Sequence, residues 1–498
     1  MKLRDDQLAT VKSAMSAAVL GQDFKRILYG NMGSGKTVTA INAVNAYNKI
    51  RWAGAKDGGR VLVVAPVRVA REAWAKELTA LGHSYTIAAG KSIVKLREAL
   101  IGEPGEFVIV APGQLAHLRK VRDFEFANKM NFTAIIIDEL SLYRTAGSER
   151  VKTLRRLPKF CHFVLALTGT PVSENYHGMY SMLLCVDGGE TLGTRLDKFT
   201  STYFEVNEWE KGIPSTMRPG GAEALAAKVA PVFLSLTDRR EELPAITYET
   251  QWASLPPDIQ AMHDKLAKDY VLESDGEGFK GVEAANSAVL TGKLVQIASG
   301  VVYQEDEAFD DFDRERLDTA CLWILHNLWT LAKGDRPATV LVPYTLRADQ
   351  TRFYEVLDVH RRGETQFYSA HAEDLIVTSK DPNYLDKFGP YEEGKCPILL
   401  THPRSLGHGV NLQGHCSYVH WLAPHWSREL TDQFNARVWR TGQKHPVLVE
   451  TTAMAGTIDE AIIARLESKD DNDDTFRAYL EALRTGSTWA SRAAPAPC

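Results

Sequence analysis

The string Gly30-Asn31-Met32-Gly33-Ser34-Gly35-Lys36-Thr37 limits what this chain can fold into more than any other feature. It follows the apolar run Arg26–Tyr29 and precedes the helical pattern Val38–Asn48. A glycine-rich loop between strand and helix turns backbone N–H groups toward phosphate oxygens, and the helix N-terminus adds a partial positive charge. Lys36 supplies a point charge for the β- and γ-phosphates, and the Thr37 hydroxyl is a ligand for Mg²⁺. The expectation is a nucleotide-binding α/β domain with residues 30–37 around the phosphates. A chance glycine-rich turn is the alternative; the strand–loop–helix context speaks against it.

Other short apolar runs repeat this alternation. Val61–Ala65, Phe107–Ala111, Ala134–Ile137 and Phe163–Leu167 are separated by helix-like stretches such as Arg71–Leu81. Strands apolar on both faces and alternating with helices imply a parallel sheet. The pattern returns at Thr339–Val342, Ile398–Thr401, Tyr418–Leu422 and Val447–Val449. Two α/β lobes are therefore expected, at residues 1–190 and 336–466. Residues 191–335 form helical insertions and a connector, with helical patterns at Pro257–Glu273 and Leu317–Lys333 and loops at Glu208–Gly221 and Glu273–Gly281. Residues 467–498 are an acidic linker and tail, with a short helical pattern at Thr475–Leu483.

Ala134-Ile135-Ile136-Ile137-Asp138-Glu139 is an apolar strand ending in two acids. Acids at strand ends are common, but a P-loop about 100 residues earlier gives this pair a role. Asp138 would hold Mg²⁺, directly or through water. Glu139 would orient or deprotonate an attacking water.

Composition leaves the partner open. The net charge of −5 and pI near 6.3 are not those of a protein that coats nucleic acid, although a motor needs only a local basic strip. No run approaches the ~20 apolar residues that cross a bilayer, so no membrane is expected. The polar start Met1–Asp6 is unlike a signal peptide. Six scattered cysteines without a Cys-x-x-Cys pair fit a reducing cytosol better than a disulfide framework or zinc ribbon.

Further motifs run in order along the chain: Leu3-Arg4-Asp5-Asp6-Gln7; Val63-Val64-Ala65-Pro66 with Trp74; Val108–Pro112; Leu167-Thr168-Gly169-Thr170-Pro171; Leu406–Leu412; and Asp432–Gln443. Together with the P-loop and the acidic pair they resemble superfamily 2 helicases. The ending Arg437-x-x-Arg440-x-Gly442-Gln443 resembles the Swi/Snf branch. The likeness covers residues ~1–465, including the Arg-rich segment Phe233–Pro244, a helix at Thr291–Gly300 and a strand at Thr339–Tyr344. The size suggests a compact bacterial or phage form, at work in the cytosol of a bacterium or infected host.

The resemblance implies two RecA-like parallel-sheet lobes in tandem with ATP and Mg²⁺ bound between them. It implies translocation on double-stranded DNA, with room for a loading, replication or recombination partner protein. Gln7 would recognise adenine, as an amide can bond N6 and N7 together. The segment after Val63 would touch the nucleic-acid backbone, and Leu167–Pro171 would couple the nucleotide and nucleic-acid sites. Gln433 would contact the nucleotide, with Arg437 and Arg440 neutralising charge on the transferring phosphoryl group. The spacing i, i+4, i+7 predicts that these three share one helix face.

Ser141 departs from the pattern, because many relatives carry His or a second acid there and use it to contact the Thr168-Gly169 segment. This puts in question how hydrolysis is coupled to movement. The Met32-Gly33-Ser34 core of the P-loop also differs from that of eukaryotic remodellers. His402, His408, His415, His420, His425 and His445, with Cys416, lack metal-ligand spacing and are expected in loops and core. The tryptophans at 74, 252, 323, 329, 421, 426 and 439 are expected in the core rather than stacked on bases. Three other readings compete: a strand-separating DNA or RNA helicase, a nucleic-acid-binding scaffold with reduced ATPase, and a P-loop ATPase acting on proteins. The Asp432–Gln443 motif speaks against the last.

Overall fold

The computed structural model describes residues 3–31, 33–53, 59–101, 107–115, 132–169, 176–205, 217–237, 240–269, 271–272, 282–283, 287–304, 308–363, 376–378, 391, 393, 396–405 and 412–467. Met32, Thr170, Pro171, Leu406–Asn411 and the expected tail at 468–498 lie outside them. The chain forms two compact units, Met1–Arg240 and Glu241–Cys498.

The first unit is built on a seven-stranded sheet. Its strands are β1 (Phe24–Tyr29), β2 (Arg60–Val64), β3 (Tyr85–Ile87), β4 (Phe107–Val110), β5 (Phe132–Ile137), β6 (Phe163–Thr168) and β7 (Phe233–Ser235). Their order is β3-β4-β2-β5-β6-β1-β7, and every pairing is parallel. Alternate residues point to opposite faces, and both faces are buried. Leu62, Val64, Ile135 and Ile137 join one core, whereas Val61, Val63, Ala134 and Ile136 join the other. Each such valine, leucine or isoleucine contributes roughly 1.5–3 kcal/mol of burial, which is why these strands are apolar on both faces. Helix α1 (Asp5–Val19) begins where Arg4 N donates to Gln7 Oε1 (3.0 Å), and it packs on α2 (Lys36–Arg51).

The second unit has a six-stranded parallel sheet. Its members are β8 (Ile246–Ser254), β13 (Val340–Pro343), β14 (Ile376–Thr378), β15 (Ile398–Thr401), β16 (Tyr418–Trp421) and β17 (Val447–Ala455). They lie in the order β14-β15-β13-β16-β17-β8. Two short antiparallel pairs stand apart from it: β9 (Val271–Leu272) with β10 (Val282–Glu283), and β11 (Val301–Tyr303) with β12 (Phe309–Asp311). Helices Pro257–Asp269, Ser287–Ala298 and Ile458–Glu467 close a separate apolar core around Leu266, Leu294, Ile297 and Ile462. The break between units therefore falls inside residues 191–335. The helices at Leu196–Tyr203 and Gly221–Val229, with β7, belong to the first unit; β8 and the helices after it belong to the second.

The tryptophans divide. Trp74 and Trp421 are fully buried, but Trp323 and Trp329 stand exposed on helix Glu315–Ala332, correcting the expectation of core packing. That helix buries Leu317, Ile324, Leu325 and Leu328, and the two indoles project from the opposite face. Among the described residues no helix is long and apolar enough to cross a membrane.

Candidate nucleotide-hydrolysis site

In the first unit the motif residues collect where the parallel strands end, the edge at which α/β sheets bind ligands. The P-loop follows β1 and the acidic pair follows β5, with β6 between the two strands. Gly33 and Gly35 adopt φ of 76° and 81°, a left-handed geometry that suits glycine. A Cβ at Gly35 would lie 2.4 Å from Gln7 Nε2, so the Gln7 amide would have to move. The turn sets Lys36 as the first residue of α2 and Thr37 as the second. Lys36 Nζ donates to Gly30 O (2.5 Å) and Asn31 O (3.0 Å), so its charge is held over the loop.

Asp138 is fixed at both carboxylate oxygens. Oδ2 accepts from Trp74 Nε1 at 2.7 Å, and Oδ1 accepts from Glu139 N at 3.0 Å. Burial pushes the Asp138 carboxyl up to about 6, outweighing the Trp74 bond that favours the ion. The Glu139 charge adds to the rise and the Lys36 charge opposes it. The residue as a whole keeps some contact with solvent. Glu139 has φ 57° and ψ 62°, the one non-glycine residue with positive φ among those described. Such backbone costs about 1–3 kcal/mol, and residues of this kind cluster at functional sites. Ser141 Oγ donates to Glu139 Oε1 at 2.6 Å.

Gln7 is buried beside the loop, but its amide is engaged by the chain. Oε1 accepts from Arg4 N, and Nε2 donates to Ser34 O at 3.4 Å. Arg4 also donates to Ser34 O (2.6 Å) and pairs with Asp6. Burial raises the Asp6 carboxyl, but hydrogen bonds from Thr237 N, Arg4 and Gln7 N outweigh it and leave the group below its ordinary range. Gly30 N donates to Thr168 O (3.2 Å), tying the end of β6 to the start of the P-loop.

In the second unit the expected helix face is not formed. The helix Arg428–Asn435, capped by Ser427 Oγ on Leu430 N, holds Gln433 but ends before Arg437 and Arg440. Its continuation is pre-empted. Arg437 O accepts from Leu412 N, Val438 O accepts from Gln443 Nε2, and Gly442 turns the chain at φ 99°. Arg437 and Arg440 thus sit on successive turns, Arg437 buried and Arg440 half-buried. Burial lowers the Arg440 pKa from its ordinary value. Gln433 Nε2 donates to Glu429 Oε1 (3.2 Å), one turn earlier.

A family model described as DEAD/DEAH box helicase matches residues 4–177, which include the P-loop, Asp138-Glu139 and Thr168-Gly169. Protein p41 of Acyrthosiphon pisum secondary endosymbiont phage 1 is 26% identical over 93% of this chain and 96% of its own length. YwqA of Bacillus subtilis, described as an ATP-dependent helicase/translocase, is 23% identical over 91% of this chain. The mouse DNA excision repair protein ERCC-6 is 23% identical over 88%. The chain is thus similar to helicase-like ATPases, to the family model over its first third and to p41 along nearly its whole length. It spans 46% of YwqA and 30% of ERCC-6. A solved structure, the Sulfolobus solfataricus SWI2/SNF2 ATPase core in complex with dsDNA, aligns over 99% of this chain and 95% of its own at 19% identity and TM-score 0.41.

Two contacts of this site were not readable from its motifs. Trp74 marks the segment after β2, yet nothing in the sequence pairs it with Asp138, 64 residues on. Ser141 lies two residues from Glu139, and a hydroxyl at that spacing is a signal in hindsight, since a short turn brings the two side chains together.

Proposed function

We propose that this chain is an ATP-driven translocase on double-stranded DNA. The observation that carries the hydrolytic reading is the gathering of Lys36, Thr37, Asp138 and Glu139 at one edge of the first sheet. The Arg-x-x-Arg-x-Gly-Gln ending at 437–443 and a relative described as a helicase/translocase support a motor, and the DNA excision repair relative supports DNA as its track.

Thr37 and Asp138 offer hard oxygen donors, the kind that suits Mg²⁺ beside phosphates. Both Asp138 oxygens have a second lone pair beyond their protein bonds. Bound there, Mg²⁺ would supply charge neutralisation at the β- and γ-phosphates. Lys36 binds the same phosphates, and the loop N–H groups orient them. Glu139 orients a water whose oxygen attacks the γ-phosphorus. Its proton passes to the Glu139 carboxylate as the bond to the ADP oxygen breaks. Arg437 and Arg440 neutralise charge on the transferring group, Gln433 contacts the nucleotide, and Gln7 recognises adenine with the second amide proton and second Oε1 lone pair beyond its bonds to Ser34 and Arg4.

Steady-state hydrolysis with no polynucleotide, single-stranded DNA, duplex DNA and RNA, at matched low salt, tests the reading. Strong stimulation by duplex DNA is the expected result, and Lys36→Ala should abolish it while DNA binding persists. Stimulation only by single strands or RNA would refute duplex translocation in favour of a helicase. Hydrolysis indifferent to all of them would refute a nucleic-acid motor acting alone.

A further inference from the structure

Trp74 is completely buried in the core of the first unit. It ends a five-residue π-turn, Ala70–Trp74, inside the otherwise α-helical run from Val67 to Ala80. An extra residue in one turn rotates every later side chain by about 100° relative to a straight helix, and such bulges recur at functional sites. Here the rotated residue is Trp74, and its indole nitrogen meets Asp138 Oδ2 at 2.7 Å. A buried indole needs one acceptor and has one donor. The length is that of a charge-assisted bond, as expected when the acceptor is a carboxylate. Asp138 is anchored from its other side by Glu139 N and from its backbone by Asp138 N on Val64 O (2.8 Å). With the indole in place the carboxylate cannot rotate about its last side-chain bond without losing a hydrogen bond.

We propose that Trp74 is a positioning residue for Asp138: its indole N–H fixes the carboxylate in the orientation that receives Mg²⁺ with the nucleotide. The inference rests on the nucleotide-hydrolysis reading of the site. It also links the segment entered directly from Val64-Ala65-Pro66 to the metal end of the site through one hydrogen bond.

The test measures metal and nucleotide binding rather than turnover. Mn²⁺ binding is followed by electron paramagnetic resonance in the presence of ADP, and binding of a fluorescent ADP analogue is titrated with Mg²⁺. Trp74→Phe removes the N–H and keeps an aromatic ring. Should that variant unfold, benzothienylalanine at position 74 keeps the bicyclic shape with sulfur in place of N–H. Loss of an outer hydrogen bond to a metal ligand typically weakens the metal about 10–100-fold. The expected result is a metal midpoint shifted upward by about tenfold or more, with metal-free ADP binding unchanged. A folded variant without the N–H that keeps the parent's metal midpoint overturns the positioning role. Asp138→Asn separates the two layers. If it shifts the midpoint and the Trp74 variants do not, only the positioning role fails. If Asp138→Asn itself leaves the midpoint in place, the metal reading of Asp138 fails and takes this inference with it.

Discussion

Glu139 stands in left-handed backbone geometry, and this can be weighed by two substitutions that differ only there. Glu139→Ala and Glu139→Gly both remove the carboxylate and the bond from Ser141. Any difference between them reports the backbone. Left-handed φ costs an L-residue with a Cβ about 1–2 kcal/mol, whereas glycine takes it freely. Against this, glycine leaves the unfolded chain more freedom, a loss of about 0.4–1 kcal/mol. The balance favours glycine by roughly 0.5–1 kcal/mol, the reverse of the order in a helix interior. For a domain the size of the first unit that is a rise in Tm of about 1–4 °C. Differential scanning calorimetry of the two inactive variants reads it directly. If Glu139→Ala melts at or above Glu139→Gly, the strain argument is wrong and the geometry at 139 costs nothing.

The remaining predictions concern charge. The Asp138 carboxyl is raised from an unfolded value of 3.8 to about 6, so the native state binds more protons across that window and loses stability as pH rises through it. Asp138→Asn should therefore melt above the parent at pH 8, with the advantage shrinking toward pH 4; a constant or reversed difference contradicts the burial cost. Arg440→Ala should leave ATP binding in place and slow hydrolysis by about 10³ or more, as expected for loss of an arginine finger, and normal turnover would remove Arg440 from that role. In the second unit Arg316 donates to Asp459, both fully buried. Asp459→Ala should cost roughly 3–5 kcal/mol in denaturant unfolding, since it strands a buried guanidinium, and a loss under ~1 kcal/mol would show that Ser299 and water replace the pair.

What the sequence made legible follows from where each strand lies. Each of the nine interior strands, five in the first sheet and four in the second, overlaps one of the short apolar runs. The four edge strands, β3, β7, β8 and β14, escaped the same reading. An edge strand is flanked on one side only, so Ile246–Ser254 carries Thr, Glu and Gln among its apolar residues and lacks the signature of burial on both faces. The P-loop and the acidic pair were readable because their chemistry fixes residue type and spacing together. The Arg437–Arg440 turn was not, because helical spacing was extended past Asn435 without the long-range bonds from Leu412 and Gln443 that end the helix. Contacts such as Trp74 with Asp138 depend on tertiary register, which local pattern does not encode.

Two carboxylates, Glu450 and Asp138, differ in how many donors face them. Glu450, on β17, is surrounded by partners. Oε2 accepts from Tyr418 and from Asn327 Nδ2 (2.8 Å), Oε1 accepts from Gln251 Nε2 (2.9 Å), and His420 Nδ1 lies 3.1 Å away. Burial pushes its carboxyl up, but the bonds with His420, Tyr418 and Gln251 outweigh it and the group is held below its ordinary range. The other nitrogen of His420 meets Thr452 at 2.8 Å, so this histidine is part of a satisfied core network. Asp138 has two donors, one of them on the next residue, and its carboxyl is displaced the opposite way. At Glu450 the donors are enough to offset burial, whereas at Asp459 and Asp349 burial prevails even beside arginines. A carboxylate left short of donors, beside a strained Glu139 and a lysine folded over its own loop carbonyls, retains capacity for an incoming cation. The strained Glu139 and the lysine over the loop, more than the direction of the Asp138 shift, set the end of β5 apart from the buried acids of the second unit.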